Sequence, residues 1–283
     1  MIISVASGKG GTGKTTVAVN LALSVNNVQF LDCDVEEPDA HLFLNPIIET
    51  TEPVGILVPV IDKTKCTFCG RCAKVCEFHA IAALPKEILV FEELCHGCGG
   101  CALVCPVKAI AEKKREIGIL RTGICNNKIE FVDGILTPGE PMSPPLIRKV
   151  KKKIKPNKTV IIDSPPGTSC PVIESVKGSD FCILVTEPTP FGLNDLILAV
   201  KIMRKLKIPC GVVINRADLG NDEVEIYCEE NKIPVLMRIP FDREVVELYS
   251  NGIPVTNEKK EYRKIFDELF KKVLNNLHNL LKK

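Results

Sequence analysis

The chain has 283 residues, 45% of them hydrophobic and 25% charged, with a formal net charge of +2. This balance excludes a mainly disordered or fibrous chain and leaves no global field to recruit nucleic acid or anionic lipid. No apolar run reaches the roughly 18 residues of a membrane span.

Residues 1–61 read as α/β. Ile2–Ala6 is a short apolar run of the kind a buried parallel strand shows. Gly8–Thr16 is a glycine-rich turn, and Thr16–Val25 carries apolar residues at helical spacing. Val28–Cys33 and Gly55–Val60 are two more buried-strand candidates. Residues 62–115 change character: eight of the fourteen cysteines lie between Cys66 and Cys105, and helix-length periodicity disappears. Residues 116–283 return to α/β. Thr159–Ile162, Phe181–Val185, Gly211–Ile214 and Val235–Met237 are apolar runs followed by polar or proline-rich loops, with helical patterns such as Leu193–Leu206 between them. Alternating strands and helices imply a mostly parallel sheet with crossover helices. Pro138–Pro145 reads as a loop. The domain reading is therefore a discontinuous α/β domain, 1–61 and 116–283, with a small inserted domain at 62–115.

Gly8-Lys9-Gly10-Gly11-Thr12-Gly13-Lys14-Thr15 fits the G-x-x-x-x-G-K-[ST] phosphate loop, between a strand and a helix as that motif requires. Backbone N–H groups from Gly10 to Thr16 would wrap the phosphates at the positive end of the helix. Lys14 would reach the β- and γ-phosphates, and the Thr15 hydroxyl would hold Mg²⁺. The second lysine makes G-K-G-G-T-G-K-T-T resemble the deviant loop of the MinD/Mrp group of ATPases, which includes the nitrogenase iron protein.

That resemblance implies several roles. Lys9 would contact nucleotide across a dimer interface as a charge-stabilising finger; the alternative is a lysine that merely adds local positive charge. Leu31-Asp32-Cys33-Asp34 resembles switch I, with Asp34 orienting the attacking water and Asp32 or Asp39 touching the metal's water shell. Ile161–Gly167 resembles the Walker B strand and switch II, with Asp163 on Mg²⁺ through water and the Gly167 N–H sensing the γ-phosphate. Asn215, Pro240 and Asp242 match the group's base-side positions. ATP and Mg²⁺ are the implied ligands, and an ATP-dependent homodimer or a heterodimer with a related ATPase the implied assembly.

The cysteines repeat one motif twice: Cys66-x2-Cys69-x2-Cys72-x3-Cys76 and Cys95-x2-Cys98-x2-Cys101-x3-Cys105-Pro106. This is bacterial-ferredoxin spacing for two 4Fe–4S clusters. The expected ligands are Cys66, Cys69, Cys72 and Cys105 for one cluster, and Cys95, Cys98, Cys101 and Cys76 for the other. Structural zinc prefers paired C-x2-C knuckles with a long spacer and fits poorly. His79 and His96 read as neighbours rather than ligands. Of the six remaining cysteines, most read as buried thiols. Cys170 stands apart, seven residues after Asp163, where the nitrogenase iron protein has a cluster ligand; a buried thiol is the alternative. Met1–Ala6 runs straight into the glycine loop without a basic leader, so a cytoplasmic chain with reduced cysteines is expected.

The basic run Arg148–Lys158 reads as a solvated helix face. The apolar stripe of the C-terminal helix, Ile265 to Leu281, reads as sheet-covering; membrane binding in the MinD manner is the alternative. The functional expectation is a Mg–ATP-dependent ATPase whose dimer closure gates electron delivery, or maturation of a metal centre, on a partner protein. The alternative is a cluster carrier or ATP-regulated scaffold without redox duty. A C-x2-C pair in the C-terminal half, expected of an Mrp-type carrier, is absent from the sequence. Positional regulation at a membrane is a third, weaker reading.

Overall fold

The structure is a computed structural model that describes residues 1–125 and 128–281. Its strands are β1 (Ile2–Ala6), β2 (Val28–Asp32), β3 (Ile47–Ile61), β4 (Ile81–Leu84), β5 (Glu87–Val90), β6 (Ile110–Ile124), β7 (Glu130–Leu136), β8 (Thr159–Asp163), β9 (Phe181–Thr186), β10 (Cys210–Asn215) and β11 (Val235–Ile239). Among the described residues, nine strands form one sheet in the order β11-β10-β9-β1-β8-β2-β7-β6-β3. From β11 to β7 every neighbour pairs parallel, while β6 and β3 are antiparallel. The central strands are apolar on both faces because helices cover both: Phe30, Phe131 and Phe181 are fully buried.

The expected third buried parallel strand, Gly55–Val60, is not one. It is the second half of β3, a 15-residue edge strand paired antiparallel to β6 from Ile47↔Ile124 to Ile61↔Ile110. Val54, Ile56 and Val58 are buried, whereas residues 49–53 are exposed. An edge strand also explains why Pro53 and Pro59 do not end it: neither needs to donate on the open side. Strands β6 and β7 carried no clear apolar run in sequence. They pair with each other as an antiparallel neighbour pair, and each is held on its other side by a distant strand, β6 by β3 and β7 by β2. Strand β6 runs unbroken through 115/116, where composition had suggested a boundary. The segment 62–109 is thus carried on the end of a long β3–β6 ribbon, with its own β4–β5 hairpin.

Pro144 and Pro145 are not loop residues. They open the helix Pro144–Lys151, where a missing N–H costs nothing. That helix stops at Lys151, so the basic run is not one solvated face. Lys151 Nζ donates to the Glu174 and Ser175 carbonyls, both at 2.7 Å, and Lys153, Lys155 and Lys158 pair with Glu52, Glu130 and Glu130. The C-terminal helix Lys260–Leu281 turns Phe266, Leu269 and Val273 inward against helix Lys14–Ser24 and β11. Each such burial is worth about 1.5–3 kcal/mol. The side chains of Leu280 and Leu281 lie outside the described residues. Among the described residues no helix is long and apolar enough to cross a membrane.

Candidate nucleotide site and cysteine pocket

The loops after β1, β2, β8, β9, β10 and β11 all leave the carboxyl edge of the parallel strands, where open α/β sheets build their sites. The loop after β1 enters helix Lys14–Ser24 through Gly13. Gly13 has φ +90°, and a Cβ there would stand 2.6 Å from Asn215 Nδ2. Only glycine satisfies both demands. Cβ atoms on Gly10 and Gly11 would meet nothing within 4 Å, so the loop's outer side is open. This is a backbone cradle suited to phosphate.

Lys14 is buried beneath that cradle. Its Nζ donates to Asp163 Oδ1 at 2.9 Å and Asp34 Oδ2 at 3.3 Å, and lies 3.4 Å from Thr15 Oγ1. Burial opposes the ammonium, but the Asp163 and Asp34 carboxylates outweigh it and hold its pKa above the ordinary value. The register sets Asp32 of β2 beside Asp163 of β8, and Asp133 of β7 on Asp32's other side. Arg121 of β6, opposite Asp133, donates to Asp133 Oδ1 at 3.0 Å and balances that end of the row. Sequence reading missed this pair, because it depends on two residues 12 positions apart being brought opposite each other by antiparallel pairing.

Four carboxylates, Asp32, Asp34, Asp39 and Asp163, therefore face one lysine. Burial, then their mutual repulsion, pushes Asp32 and Asp39 upward and Asp34 to about 6. Asp32 is already engaged: its oxygens accept from the Asp34 N–H at 3.0 Å and the Ala40 N–H at 3.2 Å. It shapes the loop after β2. Asp163 Oδ2 and Asp39 Oδ1, by contrast, are buried without a hydrogen-bond partner. Two orphaned carboxylate oxygens beside the Thr15 hydroxyl are a donor set that suits hydrated Mg²⁺.

Beside the loop lies a cavity of about 220 Å³ between Gly11, Gly13 and Thr16 on one side and Asn215, Pro240 and Asp242 on the other. Asn215 Nδ2 donates to the Thr12 carbonyl at 2.9 Å, tying β10 to the loop. The Asp242 carboxylate is partly committed, capping helix Arg243–Ser250 through the Glu244 N–H at 2.9 Å and pairing with Lys259 Nζ at 3.1 Å. Phe241, Tyr249 and Tyr262 also line the cavity and had no sequence signal.

Lys9 lies on the loop rim, with its Nζ 3.3 Å from Glu187 Oε2; Arg216 takes Glu187 Oε1 at 2.9 Å. The Gly167 N–H donates to the Ser7 carbonyl at 3.0 Å, so within this geometry it is engaged by the protein itself. Cys170 opens helix Cys170–Val176 and is exposed, not the buried thiol of the alternative reading, and Cys210 is half-buried. Cys33, Cys125, Cys182 and Cys228 are buried.

The cysteine segment folds as two copies of one unit, 29 residues apart. Helix Arg71–Val75 corresponds to helix Gly100–Leu103. The backbone enters positive φ at Phe68, Gly70 and His79, and again at Gly97, Gly99 and Lys108. Cys66 and Cys95 sulfurs each accept the N–H two residues on, at 3.4 Å. Cys76 and Cys105 sulfurs each accept the N–H four residues on, at 3.3 and 3.2 Å. One pocket collects Cys76 with Cys95, Cys98 and Cys101. Burial pushes the Cys72 and Cys95 thiols upward. His96 stacks on Phe78 with ring centroids 3.4 Å apart. Among the described residues no three His, Cys, Asp or Glu side chains converge on a single-ion position.

Residues 3–255 match the CbiA family, described as the CobQ/CobB/MinD/ParA nucleotide binding domain. An uncharacterised protein of Methanocaldococcus jannaschii is 31% identical over 280 residues, covering 96% of both chains. An iron–sulfur cluster carrier protein of Pyrococcus furiosus is 24% identical over 305 residues, covering 98% of this chain and 87% of the relative. The septum site-determining protein MinD of Pyrococcus horikoshii, solved with Mg-ADP, shares the fold with a TM-score of 0.59 over 96% of this chain and 95% of MinD, at 21% identity. With a match across most of its length and a phosphate loop at the sheet's carboxyl edge, the chain belongs to the CobQ/CobB/MinD/ParA family of nucleotide-binding proteins.

Proposed function

We propose that the protein is a Mg²⁺-dependent ATPase that carries two 4Fe–4S clusters and couples nucleotide-driven dimer closure to electron delivery to a partner protein. The observation that carries this reading is the joining of two sites by one sheet: the Lys14–Asp163–Asp34 constellation, and the pocket of Cys76, Cys95, Cys98 and Cys101 on the β3–β6 ribbon. Backbone N–H groups of Gly10 to Thr16 bind the phosphates, with Lys14 turned to the β- and γ-phosphates. Thr15 and Asp163 hold Mg²⁺, which supplies charge neutralisation at the phosphates. Asp34 orients the attacking water. Asn215, Pro240 and Asp242 flank the base. Lys9 of each protomer leaves Glu187 and meets the nucleotide of the other.

The cysteine segment fits clusters. Its repeat, four of its eight cysteines around one pocket and its backbone N–H groups aimed at sulfur are what a thiolate-ligated cluster requires. Cys66, Cys69, Cys72 and Cys105 would hold one, and Cys95, Cys98, Cys101 and Cys76 the other. Bound there, the clusters supply reversible one-electron chemistry at low potential. A low-potential donor would load the electron and the partner would accept it.

A second reading, cluster carriage without redox duty, is favoured by relatives named iron–sulfur cluster carrier proteins. Electron paramagnetic resonance on anaerobic protein separates the two. Signals that appear with dithionite and shift with Mg–ATP support electron transfer. Reducible signals indifferent to Mg–ATP favour carriage, and zinc in place of iron would sink both.

A further inference from the structure

The cysteine pocket is not remote from the phosphate loop. Cys95 packs in the same apolar cluster as Leu31, Cys33 and Val35, the residues on either side of Asp32 and Asp34. The Leu136 N–H donates to the Val35 carbonyl at 2.8 Å, so the loop after β7 is tied to the loop after β2. A second tie is polar: Ser143 Oγ donates to Glu36 Oε1 at 2.8 Å, with Ser143 buried.

Glu140 lies in this same loop, between Leu136 and Ser143. Its side chain is 4% exposed and pairs in two-pronged fashion with Arg115 of β6, Nη2 donating to Oε1 at 3.1 Å. Arg115 stands opposite Ile56 in the β3–β6 register, and so on the same face. Against that face lies the Cys95 loop: a Cβ on Gly97 would be 3.3 Å from Ile56 Cβ. Lys113, two residues before Arg115 and on the same face, reaches Glu92 of that loop at 2.7 Å. The Arg115 Nε is buried without a partner. Nothing in the nucleotide chemistry above uses Arg115, Glu140, Glu36 or Ser143.

We propose that the Arg115–Glu140 pair tunes the reduction potential at the Cys76–Cys95–Cys98–Cys101 site, and that Glu36–Ser143 ties the pair to the nucleotide switch. The proposal rests on the cluster reading above. A cluster gains negative charge on reduction, so a nearby cation favours the reduced form and an anion disfavours it. Arg115 is a positioning residue with its charge largely cancelled by Glu140. Movement of the Asp34–Glu36 segment on nucleotide binding drags Ser143 and its loop, withdraws Glu140, and leaves the guanidinium beside the Cys95 loop with only the weaker influence of Glu92 and Glu93. The potential then rises at this site and not at the Cys66–Cys69–Cys72–Cys105 site, which Arg115 does not face.

The test is a potentiometric titration of the full anaerobic protein followed by electron paramagnetic resonance, with and without Mg–ATP. Glu140→Gln should raise the potential of one signal and Arg115→Gln should lower that same signal, each by a severalfold change in the reduction equilibrium. The other signal stays put. Ser143→Ala should keep the starting potential and lose the Mg–ATP shift while still binding nucleotide. Arg115→Lys, which keeps the charge, should stay near the parent; moving like Arg115→Gln would assign a structural role and overturn the proposal. So would shifts of the same sign, or equal movement of both signals. A parent protein without cluster signals overturns the cluster reading itself, and this proposal with it.

Discussion

Lys14 Nζ lies 2.9 Å from Asp163 Oδ1 and 3.3 Å from Asp34 Oδ2, so the lysine that would serve a phosphate bridges two strand-end carboxylates from β8 and the loop after β2. One buried cation serves four aspartates. Burial, and after it repulsion from Asp163 and Asp39, raises the Asp34 pKa from the ordinary 3.8 to about 6 against the pull of Lys14.

This has a pH consequence. The folded state holds the Asp34 proton more tightly than the unfolded state, so this group's contribution to stability is greatest below pH about 4 and is lost as pH rises to about 6. Two pH units correspond to an effect on the order of 2 kcal/mol, shared with the coupled neighbours. Asp34→Asn should flatten the stability profile across that window, read by thermal unfolding from pH 4 to pH 7. Mg–ATP turnover in the parent should rise over the same interval, as the carboxylate that would orient the attacking water ionises. A parallel profile in the variant would reject the assignment.

Lys9 is one-third exposed and pairs with Glu187 at 3.3 Å. Such pairs are worth about 0–1 kcal/mol, so the lysine is easily recruited elsewhere. Lys9→Ala should leave ATP affinity within about twofold and cut turnover about 100-fold or more. Glu187→Gln, which frees Lys9, should raise ATP-dependent dimer formation modestly, by about fivefold at most. Both are read by sedimentation and phosphate release. Normal turnover in Lys9→Ala would reject the trans role.

Gly13 has φ +90° and no room for a Cβ against Asn215. Gly13→Ala should therefore cost roughly 1–3 kcal/mol and abolish nucleotide binding. Adding Asn215→Ala removes the clash but not the backbone strain. The double variant should recover part of the stability and none of the affinity, by calorimetry.

The cysteine assignment makes a crossed prediction. Cys76→Ala and Cys95→Ala should remove the same spectroscopic signal although they sit in different motif runs. Cys105→Ala and Cys72→Ala should remove the other. Each should about halve the iron content, since one cluster of two is lost. If Cys76→Ala and Cys72→Ala instead erased one common signal, the crossed ligation would be wrong.

The sequence by itself determined the local chemistry. A phosphate loop needs glycines, a lysine and a hydroxyl at fixed offsets along one turn, so Gly8–Thr15 is legible without a fold. The cysteine repeat is legible for the same reason, and so are the five innermost parallel strands, whose burial on both faces makes them continuous apolar runs. What lay beyond the sequence was every relationship between distant segments. The β3–β6 ribbon pairs residues 49 to 77 positions apart, and its exposed half carries no apolar signal. The end of the basic run in ion pairs, the Asp163–Asp32–Asp133–Arg121 row and the Arg115–Glu140 pair all arise from register. Register is set by how whole strands bury their faces together, and no single segment records it.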